Sequence, residues 1–125
     1  MTLPRHKSTG FRRYASGVAA EESAERSYRL EGAEILERRY RTREGEIDLV
    51  ARDGDTIVFV EVKRRPRSMW DSPVSPRQWR RIAQAASRYL ANPPQWCGGC
   101  RFDVALVGQD GRTDVIRNAH FVDAA

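Results

Sequence analysis

The stretch GEIDLVARDGDTIVFVEVKRR, Gly45 to Arg65, constrains the fold more than any other part of the chain. Two strongly apolar runs flank Arg52-Asp53-Gly54-Asp55, and Asp-Gly between such runs is among the strongest short hairpin signals. In a hairpin whose paired residue numbers sum to 107 or 109, even positions on the first strand share a face with odd positions on the second. Glu46 and Asp48 then lie with Glu61 and Lys63. The other face takes Ile47, Leu49, Ala51, Val58, Val60 and Val62 and reads as core. Val50, Ile57 and Phe59 continue the acidic face toward the turn, so the expected sheet is apolar on both sides and carries one charged island.

Such an island needs a partner. Asp and Glu are poor strand formers, and acids facing one another across a sheet repel. Directly opposed side chains sit about 4.5–5.5 Å apart at Cβ and diagonal ones about 7–8 Å, so Asp48 and Glu61 can reach one small cation in either register. Oxygen ligands select hard ions, and Mg²⁺ takes one or two carboxylates together with waters and phosphate oxygens. Lys63, on the same face, can hold an attacking water or stabilise charge developing on phosphate. The competing reading is a solvated strand face with an ordinary cross-strand ion pair.

At 125 residues the chain has the length of one domain with a real core. Residues 1–16 hold Arg5, Lys7, Arg12 and Arg13 with no acid, and read as a flexible basic arm; residues 17–125 read as a single domain. Gly17 to Gly32 fits a helix with Gly32 at its C-terminal end, and AEILERRY from Ala33 to Tyr40 alternates as a half-buried strand does. After the hairpin, RPRSMWDSP reads as a loop. Ser75 and Pro76 then open a second helix in which Trp79, Ile82, Ala83, Ala86 and Leu90 recur at helical spacing up to Asn92-Pro93-Pro94. RFDVALV and TDVIRNAHFV read as two more strands. The order predicts an α/β domain with a central mixed five-stranded sheet flanked by helices. Its first three strands form an antiparallel meander, and the second helix crosses over to bring in the fourth.

The formal net charge of +5 suits a polyanionic partner such as nucleic acid. No apolar run approaches the roughly 20 residues of a membrane span and the N-terminus has no apolar signal core, so a cytoplasmic protein without membrane contact is expected. Cys97-Gly-Gly-Cys100 lacks the further ligands of a structural zinc site, because His6 and His120 lie at the two ends of the chain. It reads as two thiols in a loop, with a redox pair as the alternative.

Asp48 followed across a hairpin by Glu61-x-Lys63 resembles the PD-(D/E)XK nuclease superfamily. The fuller block GEIDL…VFVEVK, with downstream AASRYL and CRFDVALV, resembles the YraN-like family of small bacterial proteins from about Gly17 to Val107. That resemblance implies a restriction-endonuclease-like core similar to archaeal Holliday junction resolvases. It also implies a metal-dependent nuclease, with Mg²⁺ or Mn²⁺ on Asp48 and Glu61, Lys63 positioning water or stabilising the transition state, and Glu21 completing the metal shell. Glu21 falls on the acidic position of the family pattern Gly-x-x-Gly-Glu-x-x-Ala, in which Gly17 and Ala24 match, Ala20 replaces the second glycine and Glu22 is adjacent. Its alternative is a first-turn acid near the helix dipole.

Beside such a site Arg64, Arg65, Arg67, Arg77, Arg80 and Arg81 read as phosphate-binding, and without it the helix arginines are a solvated face. Trp70 reads as a base-stacking platform or a packed loop anchor, and Trp79 as core. The sequence departs from the family pattern at Arg39, where Asn is frequent, near Asp71, where Gly is frequent, and near Gln78, where Lys is frequent. Asp103 matches and reads as structural or as supporting the site. The implied partner is nucleic acid, DNA in structured or branched form, and resolvases of this fold act as homodimers. A reading of a different class keeps the fold without the chemistry: a nucleic-acid-binding or partner-binding module with a vestigial site.

Overall fold

The computed structural model describes residues 5–64 and 74–119, with side chains from residue 17 onward. The first helix, α1, spans Arg5–Leu30. The helix therefore takes in most of residues 1–16, the stretch expected as an arm, and does not begin at Gly17. No proline interrupts Arg5–Leu30, and its Arg, Lys and Ala content favours helix enough to tolerate Gly10 and Gly17. At the other end Gly32, with φ of 90°, adopts the left-handed conformation that glycine takes without penalty. Its N–H and that of Ala33 donate to the carbonyls of Arg29 and Tyr28, which closes the helix as expected.

Strands β1 (Glu34–Arg41), β2 (Glu46–Asp53) and β3 (Thr56–Arg64) form the antiparallel meander. The β2–β3 register runs from Asp53↔Thr56 to Leu49↔Val60, one of the two expected registers. Helix α2 (Pro76–Tyr89) crosses over, so that β4 (Gly99–Val107) pairs parallel to β3, and β5 (Thr113–Ile116) closes the edge antiparallel to β4. The sheet order is β1-β2-β3-β4-β5. This α/β architecture is the one the sequence predicts, and it is consistent with a restriction-endonuclease-like core.

Each face of the sheet has its own core. Ala20, Ala24 and Tyr28 of α1 cover Leu49, Ala51, Val58, Val60, Ala105 and Val107. Ile82, Ala85 and Ala86 of α2 cover Val50, Ile57, Phe59 and Phe102, and Trp79 meets Phe102 edge-on at 6.2 Å. Ser75 caps α2 by accepting the Gln78 N–H at 3.1 Å, with Pro76 in the first turn. Each fully buried Val, Leu, Ile or Phe contributes roughly 1.5–3 kcal/mol. Two such cores allow the sheet to carry an unfavourable acidic cluster at one end.

Three local expectations change. Ile47 packs in the α2-side cluster, with its β1 partner Tyr40 against the same cluster, and not with Leu49. The last strand stops at Ile116, since Asn118, at φ of 51°, turns the chain and its N–H donates to Asp103 instead of continuing a ladder. Cys100 lies in β4, which begins at Gly99, and Cys97 stays in the loop; both are free thiols. Arg65, Arg67 and Trp70 lie outside the described residues. Among the described residues no helix is long and apolar enough to cross a membrane.

Candidate active site

The acidic island forms where β2 and β3 part. Beyond Leu49↔Val60 the backbone ladder stops, and the Val62 N–H donates to Oδ2 of Asp48 at 2.7 Å, so a side-chain carboxylate takes the acceptor position of a strand carbonyl. Glu61, only 7 % exposed, lies within hydrogen-bonding reach of Asp48. Burial first, and then the charge of the neighbouring acid, push the Glu61 carboxyl up from 4.5 to about 8. Burial likewise raises Asp48 from 3.8 to about 6, with Glu21 and Glu46 adding to it and the Val62 N–H opposing it. With both carboxyls raised, ionising the two together is unfavourable at neutral pH, and a nearby cation relieves it.

One cation is already built in. The Lys63 Nζ stands 3.4 Å from Oε1 of Glu61, its side chain mostly covered. The same oxygen accepts from Nε2 of Gln78 on α2 at 3.0 Å. Gln78, where the resembled family often carries Lys, thus points inward and fixes the Glu61 rotamer. Sequence reasoning missed that contact, because helical spacing alone does not tell which α2 residue overhangs the end of β3. The pocket of about 210 Å³ in front of these groups is lined by Glu46, Asp48, Glu61, Gln78, Arg81 and Ile82.

Of the two candidate acids on α1, Glu21 faces the site and Glu22 is exposed. Glu21 is near enough to raise Asp48, yet its carboxylate is held by Nε of Arg39 at 2.9 Å. Arg39 has φ of 52°, a left-handed backbone that Asn adopts more readily than Arg. Among the described residues no three acidic, His or Cys side chains form a ready-made metal cage. A hard ion that keeps several waters and binds through one or two carboxylates needs no such cage, and the raised Asp48 and Glu61 fit one.

Arg77, Arg80 and Arg81 are exposed on α2, with Arg81 at the pocket, and Arg64 is exposed at the end of β3. Helix α2 is clamped to the β1–β2 turn through Gly45. A methyl group there would stand 2.6 Å from the Arg81 carbonyl oxygen, so only glycine lets the turn lie against the helix. Thr42 organises the turn: its Oγ1 accepts the N–H of Gly45 at 3.0 Å while its own N–H donates to the Gly45 carbonyl at 2.8 Å. Gly45→Ala is therefore expected to cost about 1–3 kcal/mol through forced displacement of helix or turn. Urea unfolding measures it, and a cost near zero would show that the turn is not pinned.

The first residue of the opening block thus has a steric reason. Comparison with known proteins agrees with the resemblance: the model of a family described as "Uncharacterised protein family UPF0102" matches residues 20–107. A UPF0102 protein of Ruegeria pomeroyi is 44 % identical over 114 residues, covering 90 % of this chain and 93 % of its own. One from Cereibacter sphaeroides is 43 % identical over 108 residues (85 % and 92 %), and one from Frankia casuarinae 42 % over 109 residues (85 % and 92 %). The matched span includes α1 from Ala20, the hairpin, α2 and all of β4.

Proposed function

The chain belongs to the uncharacterised protein family UPF0102, and since membership names no reaction, we propose from the site itself that the protein is a metal-dependent nuclease. Its substrate is the phosphodiester backbone of nucleic acid, structured or branched DNA in the first instance. The observation that carries this reading is the pairing of two carboxyls, a buried Glu61 and a half-buried Asp48 within its hydrogen-bonding reach, beside Lys63 in a pocket open to an arginine-bearing helix. A purely binding surface gains affinity for phosphate from cations and loses it from clustered acids, so the acids require another role.

Asp48 and Glu61 would hold Mg²⁺ or Mn²⁺, which when bound supplies a Lewis acid for the phosphoryl oxygens and lowers the pKa of water. The protein groups do the rest. The Val62 N–H and Gln78 amide fix the two carboxylates in place, so little reorganisation is left for the reacting state. Lys63 presents an ammonium beside them that orients water or meets negative charge growing on phosphate. Arg81 at the pocket wall and Arg77 one turn earlier grip flanking phosphates. Glu21 joins the metal shell only if Arg39 releases it.

That Glu21–Arg39 pair favours a second reading, a nucleic-acid-binding module with a vestigial site. Incubation of the purified protein with linear, flapped and four-way-junction DNA in Mn²⁺, Mg²⁺ or EDTA separates the two. Metal-dependent cutting that disappears in Asp48→Ala and Lys63→Ala is expected. Binding with no cutting under any metal, unchanged in both variants, would replace the nuclease with the module.

A further inference from the structure

A second, separate cleft borders α2 nearer its C-terminal end, at Arg88. It measures about 510 Å³ and is lined by Tyr40 and Arg41 at the end of β1, Thr42 and Arg43 of the β1–β2 connection, and Arg88 of α2. At 100° per residue Arg77, Arg81, Gln84 and Arg88 fall within about 40° of one line along the helix, with Arg80 to one side. All four α2 arginines are exposed, and Pro76–Tyr89 contains no acid. Arg81 lines the Asp48–Glu61 pocket and Arg88 lines the second cleft, so one stripe of guanidiniums joins the two.

We propose that this cleft is where the phosphate backbone of a nucleic-acid strand runs away from the acidic site, gripped by Arg41, Arg43 and Arg88. The proposal rests on the nuclease reading and extends it to the path of the substrate. Arg77 to Arg88 spans about 16 Å at 1.5 Å per residue, the axial length of about five nucleotide steps of one B-form strand. The residues are all Arg, whose planar fork matches phosphate.

The acids present do not cancel the stripe. Glu44 pairs with Arg88 at 3.2 Å and Glu46 with Arg41 at 3.3 Å, and all four groups are solvent-exposed. Exposed pairs of this kind are weak enough to be exchanged for phosphate contacts. Arg43 is exposed at the mouth. Since Gly45 pins the turn on α2, both walls of the cleft hold a fixed position relative to Asp48 and Glu61.

The test is fluorescence anisotropy of a labelled DNA duplex over a salt series in EDTA, with wild type, Arg43→Ala/Arg88→Ala and Arg29→Ala. Arg29 is an exposed α1 arginine on the opposite face of the sheet, and its removal shows the effect per charge lost away from the cleft, against which the two charges lost in the double variant are compared. The double variant is expected to bind about tenfold more weakly and to lose about 2 from the magnitude of the log–log salt slope, while Arg29→Ala behaves as wild type. A double variant indistinguishable from Arg29→Ala overturns the cleft, even where the wild type cuts DNA and the nuclease reading stands. A reduced slope in a protein that cuts nothing with any metal keeps the cleft and removes the nuclease.

Discussion

Asp48→Asn is expected to lower cleavage by about 10³-fold or more and, in the same protein, to stabilise the metal-free fold at neutral and higher pH. The amide keeps an oxygen for the Val62 N–H, so the strand junction survives. What it removes is a half-buried charge beside a second acid. In the folded protein Asp48 is raised from 3.8 to about 6 and Glu61 from 4.5 to about 8, so between about pH 4 and 8 the folded state holds more protons than the unfolded state. The stability of the wild type therefore falls as pH rises through that window, and it is fully present only below it. The variant loses its own share of this slope and lessens the charge acting on Glu61. At 1.36 kcal/mol per pKa unit the gain at pH 8 is on the order of 3 kcal/mol, the opposing effect of Lys63 being already contained in the shift.

Urea unfolding in EDTA at about pH 5 and pH 8 reads this directly. A variant less stable than wild type at the higher pH would mean that the carboxylate is a stabilising surface partner, and the site argument would lose its basis. Stability and activity moving in opposite directions on one isosteric change is the behaviour of a group placed for chemistry, since strain of this kind persists where function requires it.

The hairpin and its acidic face were legible because strand alternation is a strict period of two and Asp53-Gly54 fixes the turn. Glu46, Asp48, Glu61 and Lys63 needed nothing else. The crossover helix was legible from Ser75, Pro76 and the spacing of its apolar residues. Contacts between elements were not. Gln78 reaches Glu61 only because α2 overhangs the end of β3, and Arg39 holds Glu21 only because β1 bends through a left-handed residue beside α1. Neither is encoded in a local period. The helix α1 extends further back than Gly17 because the basic, acid-free stretch before it suggests a solvated arm, although its backbone propensities permit a helix. Ile47 packs on the α2 side beside Tyr40, its partner on β1, a contact that strand alternation alone does not predict.

Asp103→Ala is expected to cost about 3–5 kcal/mol, a large part of the roughly 5–15 kcal/mol that holds a domain of this size. Asp103 is fully buried and accepts from the Tyr28 hydroxyl at 2.7 Å, the Asn118 N–H at 2.9 Å and Nε of Arg101 at 3.1 Å. Arg101 in turn reaches Asp53 of the hairpin turn at 2.9 Å. One carboxylate so ties α1, β2, β4 and the segment after β5. Removing it leaves a buried phenol and a backbone N–H without their acceptor and a half-buried guanidinium with one partner, and unpaired groups cost more than a satisfied pair contributes. Asp53→Ala breaks the same network at its solvent-exposed end, where side-chain exposure is 44 %, and is expected to cost at most about 1 kcal/mol. Urea unfolding of the two variants compares them. Equal small losses would show that the network is not cooperative. Because Asp103 faces Tyr28 and not the acidic pocket, the folded fraction of the variant should keep wild-type metal affinity, measured by calorimetry with Mn²⁺; a lost affinity at unchanged stability would move Asp103 from the scaffold into the site.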